Sequence, residues 1–316
     1  VLTSNIEHIT SLDVSDENIS DLTGIENFRS LVELDCSGNF LEILDVSGLV
    51  FLERLNCVSN YLITTDTNET IGLLNVTGAI SLRELYCANN NLEFLDTSQN
   101  TSLEILDCAD NNLSLLNIEN NASLRRVICS NNNLILLDIS SNPVLEEVNC
   151  DSNQLNALLT STVNNATLNN LSCSNNELNN LDVTNYAALS VLNCGSNLLT
   201  MIDLTSNMDL EFLSITSNEI SDINLQDNTV LVEASLSQND LTQLNLSTNT
   251  ILKKLNCDNN TLNFLDLSAN TSLQLLSCSN NQLATLDLGD HINLIEVNCS
   301  SNNLVSLTLS NDLGFL

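Results

Sequence analysis

The chain has 316 residues, 43% of them hydrophobic, with 7 Lys+Arg against 40 Asp+Glu and a net charge of -33. That balance argues against nucleic acid as a partner, because phosphate recognition needs a basic stripe, and against attraction to an anionic membrane surface. Aromatics are 3% and Trp is absent, so the core must be built from Leu, Ile, Val and Cys. No apolar run reaches the eighteen or so residues that a spanning helix needs, so no membrane insertion is expected. The chain opens on Val1 rather than Met and reads as a mature segment of a longer product.

The first periodic segment is Ile9–Ile25, where Ile9, Leu12, Val14, Ile19 and Leu22 set a register. From there the cysteines take up the beat: Cys36, Cys57, Cys87, Cys108, Cys129, Cys150, Cys173, Cys194, Cys257, Cys278 and Cys299. Most neighbours differ by 21. The gap of 63 from Cys194 to Cys257 is three such steps, with Ile215 and Leu236 at the two missing positions. Cysteine is therefore one occupant of a buried apolar slot in a 21-residue period. Leu stands five residues before this slot, from Leu31 to Leu294. A second apolar residue stands two before it, and Asn three after it, from Asn39 to Asn302. The unit is L-x-x-L-x-C-x-x-N-x-L-x-x-L-(D/N)-(V/I/L)-S-x-N-x-x.

L-x-x-L-x-C predicts a short strand with its apolar residues inward. Stacked turns pair such strands into a parallel sheet about 4.8 Å apart, and each turn buries its apolar face only against its neighbours. The slot Asn is expected to satisfy backbone groups where the strand bends away, forming a hydrogen-bonded ladder. The second half of the unit predicts extended chain or tight turns with little α-helix.

Two interruptions follow. Cys57 to Cys87 is 30 residues, placing an insertion near 63–71, and Cys150 to Cys173 is 23, placing a minor one within 156–165. Both are expected as loops outside the main sheet. No linker divides the chain, so one domain over 1–316 is expected, with 1–25 as first repeat or cap remnant. Phe315 and Leu316 suggest apolar continuation beyond the end.

The segments LVELDCSGNFLEILDVSG (31–48) and LKKLNCDNNTLNFLDLSANTS (252–272) resemble the cysteine-type leucine-rich repeats of the internalin J family of listerial surface proteins. They are also similar to repeats in secreted or surface proteins of Bacteroidetes. LDVSDENISDLTGI (12–25) resembles an internalin-style first repeat. The resemblance covers roughly 9–310. It implies a mainly β leucine-rich repeat solenoid of about fourteen turns with one parallel sheet on the concave side, a ladder of free thiols inside, and a secreted or cell-surface bacterial adhesin or binding module.

The cysteines have a second reading as metal ligands or disulfides. Zinc sites use close pairs such as C-x-x-C, which are missing here, and thiols sharing one direction in a packed interior suit disulfide torsions poorly. Inert buried thiols are the expectation. Nine residues past the cysteine slot lie Asp45, Asp96, Asn117, Asp138, Asp182, Asp203, Asn224, Asn245, Asp266 and Asp287. Clustered carboxylates suit calcium, but Asn alternates with Asp, which favours side chains capping turns. Asp66-Thr67-Asn68-Glu69 in the first insertion could hold an ion but is no full calcium loop. No metal site and no cofactor is expected.

Six of the seven basic residues, Arg54, Arg83, Arg125, Arg126, Lys253 and Lys254, stand three or four places before the cysteine slot. Glu53, Arg83, Glu104, Arg125 and Glu146 alternate in sign down one column, which predicts an ion-pair ladder. The outward face is mostly Ser, Asn, Asp, Gly and Ala. Its exceptions are Tyr86, Ile105, Arg126 and Ile128 on neighbouring turns, beside Arg54, with Phe212 and Leu275 further on. An aromatic beside Arg marks a recognition spot, so these are the candidate ligand-binding residues. His8 and His291 stand at opposite ends, and no nucleophile elbow, phosphate loop or acid pair stands out, so no enzyme is expected. The sequence reads as a monomeric, non-enzymatic module for a protein or glycan on the sheet face. A spacer or stalk, or the accessory region of a larger secreted enzyme, is the alternative.

Overall fold

The computed structural model describes residues 6–63 and 74–309. They form two compact units that divide between Ser161 and Thr162. Each turn contributes one three-residue strand to a parallel sheet. In the first unit these are Ser11–Asp13, Glu33–Asp35, Arg54–Asn56, Glu84–Tyr86, Ile105–Asp107, Arg126–Ile128 and Glu147–Asn149. In the second they are Asn170–Ser172, Val191–Asn193, Phe212–Ser214, Glu233–Ser235, Lys254–Asn256, Leu275–Ser277 and Glu296–Asn298. Seven and seven make the fourteen turns that the period predicts.

Register follows the period. Within the first unit Arg54 pairs with Glu84, Leu55 with Leu85 and Asn56 with Tyr86. Within the second, Val191 pairs with Phe212 and Leu192 with Leu213. The middle residue of each strand faces inward, and Leu55, Leu85, Leu106, Val127 and Val148 are all fully buried. The residues on either side of it project outward, as the two-residue period of a strand requires.

The far side of each turn carries no α-helix among the described residues. It has a single 3-10 turn, Ile25–Asn27, and three two-stranded pairings: Leu44–Asp45 with Leu74–Asn75, Leu136–Asp138 with Ala157–Leu159, and Thr285–Leu288 with Ser306–Leu309. Within 156–165, Ala157–Leu159 is therefore a strand of one of these small sheets. The insertion expected at 63–71 lies outside the described residues apart from Ile63, which bridges Asn91. Phe315 and Leu316 also lie outside them.

The slot Asn does what its position predicts. The Asn111 amide donates to the carbonyls of Cys108 at 3.2 Å, Ala109 at 3.0 Å and, one turn back, Cys87 at 3.0 Å. Its oxygen accepts the Leu92 N–H at 3.0 Å. Asn281 repeats the pattern against Cys257, Cys278 and Leu262. The residue just before each Asn adopts left-handed backbone, with φ between 51° and 57° at Ser59, Asn89, Asp110, Ser196, Gln238 and Asn280 and 66° at Gly38. That conformation disfavours β-branched residues and favours Gly, Asn and Asp.

A second asparagine ladder runs along the far side. Asn121 donates to the carbonyls of Thr97 at 3.0 Å and Asn100 at 2.9 Å. Asn207 donates in the same way to Val183 at 3.0 Å and Tyr186 at 2.8 Å. His291 occupies the equivalent position, with Nε2 3.1 Å from the Leu267 carbonyl. The side-chain oxygens differ. Asn121 Oδ1 accepts from the Thr97 hydroxyl at 3.0 Å, whereas those of Asn142, Asn207, Asn228, Asn249 and Asn270, and His291 Nδ1, are buried with no partner among the described residues.

Candidate functional site

The cysteines form the expected interior column. None of the eleven forms a disulfide; ten are buried and Cys299 is half-buried. Cys36 donates to the Asn56 carbonyl at 3.5 Å and Cys57 to that of Tyr86 at 3.4 Å. Burial pushes the thiols of Cys36, Cys129, Cys194 and Cys278 up to about 12, and those of Cys57, Cys87, Cys108 and Cys257 well above the usual range. A thiol that keeps its proton is neither nucleophile nor metal ligand.

The acid column is equally committed. Oδ1 of Asp45 accepts the N–H of Ser47 at 2.9 Å. Asp96, Asn117, Asp138, Asp182, Asp203, Asn224, Asn245, Asp266 and Asp287 each accept the N–H two residues on in the same way. These are turn caps, which explains why Asp and Asn exchange freely in the column. The described residues contain no cluster of three or more His, Cys, Asp or Glu able to hold a metal. Asp66–Glu69 falls outside them.

Ion pairs line the start of the strands. Arg83 meets Glu104, Arg125 meets Glu146 at 2.5 Å, Arg126 meets Glu147 at 3.0 Å, Arg54 meets Glu84 at 3.7 Å and Lys254 meets Glu233 at 2.6 Å. Each joins adjacent turns, so the sign alternation read from the sequence is a set of cross-strand bonds.

The outward face of the first unit gathers most of the candidate residues. Tyr86 lies between Asn56 and Asp107 in register, and Ile128 lies beyond Asp107. One position back along the face, Ile105 sits between Glu84 and Arg126. Tyr86, Ile105, Arg126 and Ile128 are thus one continuous patch on three turns. Arg54 lies over the Tyr86 ring, 5.4 Å from its centroid, a cation–π geometry. The arginine on the aromatic is therefore Arg54, while the Arg126 guanidinium is held by Glu147. The Tyr86 hydroxyl donates to Glu84 at 3.1 Å. Burial, then this bond to Glu84, pushes the phenol up. Beside the patch, Arg54, Asn56, Tyr86, Val58 and Ser59 line an open depression of about 360 Å³. Phe212 belongs to the second unit, where it lies between Val191 and Glu233; Leu275 lies there between Lys254 and Glu296.

Two further acids belong to the patch; Glu84 continues a sign-alternating column with Glu33 and Arg54, whereas Asp107 carries no signal in the repeat pattern. Glu84 joins Arg54 and Tyr86 into one bonded group. Asp107 sits between Tyr86 and Ile128, and burial, its leading influence, raises its carboxyl above the usual range.

Strand, thiol column and asparagine turn together define a leucine-rich repeat protein of the cysteine-slot class. No family model and no curated protein matches the chain, but solved structures do. The functional domain of InlJ from Listeria monocytogenes, which includes a cysteine ladder, is 31% identical with a TM-score of 0.82, covering 95% of this chain and 70% of that one. The leucine-rich effector YopM from Yersinia pestis is 25% identical with a TM-score of 0.73, covering 94% and 79%. An internalin, InlF, from Listeria monocytogenes shares the fold at 24% identity and a TM-score of 0.69, covering 98% and 90%. The chain belongs to the bacterial cysteine-ladder leucine-rich repeat family that includes InlJ.

Proposed function

We propose that the chain is a non-enzymatic recognition module of a secreted or surface bacterial protein, and that it binds a protein partner on the outward sheet face of its first unit. The observation that carries this reading is the patch of Tyr86, Ile105 and Ile128 with Arg54 and Arg126 on successive turns. It interrupts a face otherwise made of Ser, Asn, Asp and Glu. Aromatic and arginine side chains in a partly desolvated setting are the usual centres of binding energy, and a rigid sheet presents them at little entropic cost. Internalin-type repeat proteins and a repeat effector among its structural relatives fit an interaction module.

The test is binding of the purified chain to arrays of surface proteins and of glycans, beside the double variant Tyr86→Ala, Arg126→Ala. A protein ligand lost in the double variant supports the reading. A ligand held equally by both forms refutes the assignment of the face. A ligand found only among glycans replaces the partner class, and no ligand on either array favours a spacer. Light scattering checks the expected monomer.

A further inference from the structure

Asp107 differs from the other acids at its position in the repeat, and the difference is in what bonds it. Asp35, three strands earlier, is fully engaged. Its Oδ1 accepts the N–H and the hydroxyl of Ser37 at 3.0 and 2.6 Å, and its Oδ2 accepts the Asn56 amide at 2.8 Å. Asp13 likewise holds both the N–H and the hydroxyl of Ser15. At Asp107 the residue two places on is Ala109, which has no hydroxyl to give. A single bond remains, from the Ala109 N–H at 3.2 Å. The neighbour on one side is Tyr86 and on the other Ile128, neither of which donates to it. Ile105 shares its face two residues before, and Ala109 is buried two residues after.

The result is one half-buried carboxylate in an apolar frame, with its second oxygen turned outward and unbonded among the described residues. The nearest cation in influence is Arg126, and that guanidinium is bound to Glu147 at 3.0 Å. Desolvation already raises the carboxyl. A carboxylate in this position gains most from a donor that brings both a positive charge and apolar surface. Lysine and arginine side chains have that composition, with an aliphatic stem beneath a charged head.

Resting on the reading that the sheet face of the first unit contacts a protein, we propose that Asp107 anchors a single basic side chain of the partner. The stem lies on Tyr86, Ile105 and Ile128, and the ammonium or guanidinium head bonds the outer oxygen of Asp107. The chain's net charge of -33 favours approach of a basic partner. The patch selects where on an acidic molecule the basic residue docks, because Asp13 and Asp35 at the same position hold a serine hydroxyl as well as its N–H, and only Asp107 among the three stands between Tyr86 and Ile128.

The experiment follows the methyl resonances of Ile105 and Ile128 in the full chain, assigned by Ile105→Val and Ile128→Val. The probes are the peptides acetyl-Leu-Lys-Leu-amide and acetyl-Leu-norleucine-Leu-amide. The lysine peptide is expected to shift both methyls saturably, and Asp107→Asn to weaken that binding roughly tenfold or more. Asn occupies the same position at Asn56 and Asn149, so the variant suits the fold. Asp138→Asn removes the same unit of charge from a turn acid and is expected to leave binding unchanged, which separates the anchor from general attraction to an acidic chain. Equal binding of the norleucine peptide, or equal loss in both variants, overturns the anchor while leaving the face as a contact surface. Shifts of neither methyl with either peptide overturn both.

Discussion

Thr97→Val removes one hydroxyl from the interior and leaves the side-chain volume nearly unchanged. Thr97 is 1% exposed and gives its hydroxyl to Asn121 Oδ1 at 3.0 Å, so the variant strands a buried amide oxygen at a cost of about 1–3 kcal/mol. The added methyl returns about 0.8 kcal/mol, for a net loss of up to about 2 kcal/mol. The opposite substitution is Val183→Thr. Val183 is fully buried, its carbonyl is held by the Asn207 amide as that of Thr97 is by Asn121, and Asn207 Oδ1 lacks a partner. A threonine there supplies the missing donor, so the change is expected to be neutral or stabilising by up to about 1 kcal/mol. Val127→Thr, at an inward strand position with no orphaned acceptor beside it, is the comparison, and is expected to cost about 1–3 kcal/mol. Urea unfolding of the three variants reads these differences. If Val183→Thr destabilises as much as Val127→Thr, the amide oxygens of the second ladder are not short of a donor and the argument fails.

The thiol column predicts a sharp alkaline limit. Eight thiols keep their protons in the fold but ionise near 8.5 when unfolded, so their contribution is whole below that pH and is lost as pH climbs toward the raised folded values, about 12 for Cys36, Cys129, Cys194 and Cys278. Each removes about 1.4 kcal/mol per pH unit, together about 11 kcal/mol, comparable with the whole stability of a domain. Circular dichroism should show unfolding by about pH 9.5–10; an intact fold at pH 11 contradicts the buried-thiol reading. His291→Asn restores two amide donors to the second ladder, where His291 reaches only the Leu267 carbonyl, and should raise stability by about 1 kcal/mol in the same urea assay. Arg125→Glu would leave three acids in a row with Glu104 and Glu146. As the Arg125–Glu146 pair is about half exposed, the loss should be small and shrink in 1 M salt. A larger, salt-insensitive loss would mean that the Arg125 stem matters more than its charge.

The parts of this fold that are legible in the sequence are those where one residue type solves the same problem on every turn. Only a compact apolar group fits at Cys57 or Cys108, and only an amide can both donate to the Cys87 carbonyl and accept from Leu92, as Asn111 does. Leu and Asn therefore recur in place, and the ion pairs follow because Arg125 and Glu146 stand 21 apart. The left-handed position before the ladder Asn leaves no such mark, since Gly38, Ser59, Asn89, Asp110 and Gln238 all adopt it. The second ladder is visible as letters, but its orphaned oxygens depend on whether the facing residue is Thr97 or Val183. At the candidate site, Tyr86 and Ile128 stand out as departures from the face. Asp107 does not, because Asp13 and Asp35 share its position, and what sets it apart is a serine hydroxyl that Ala109 lacks.

The cross-turn bonds have one more consequence, for how the chain finds its structure. Arg83 reaches Glu104 across 21 residues, Asn111 reaches Cys87 across 24, and Leu92 reaches Asn111 across 19. A separation of 21 in 316 residues is about 0.07 of the chain length, the range of helical bundles rather than of ordinary sheet proteins. Each new strand closes one short loop, of the same length on most turns, on a template already in place. Folding should therefore spread turn by turn like a zipper from whichever group of turns orders first.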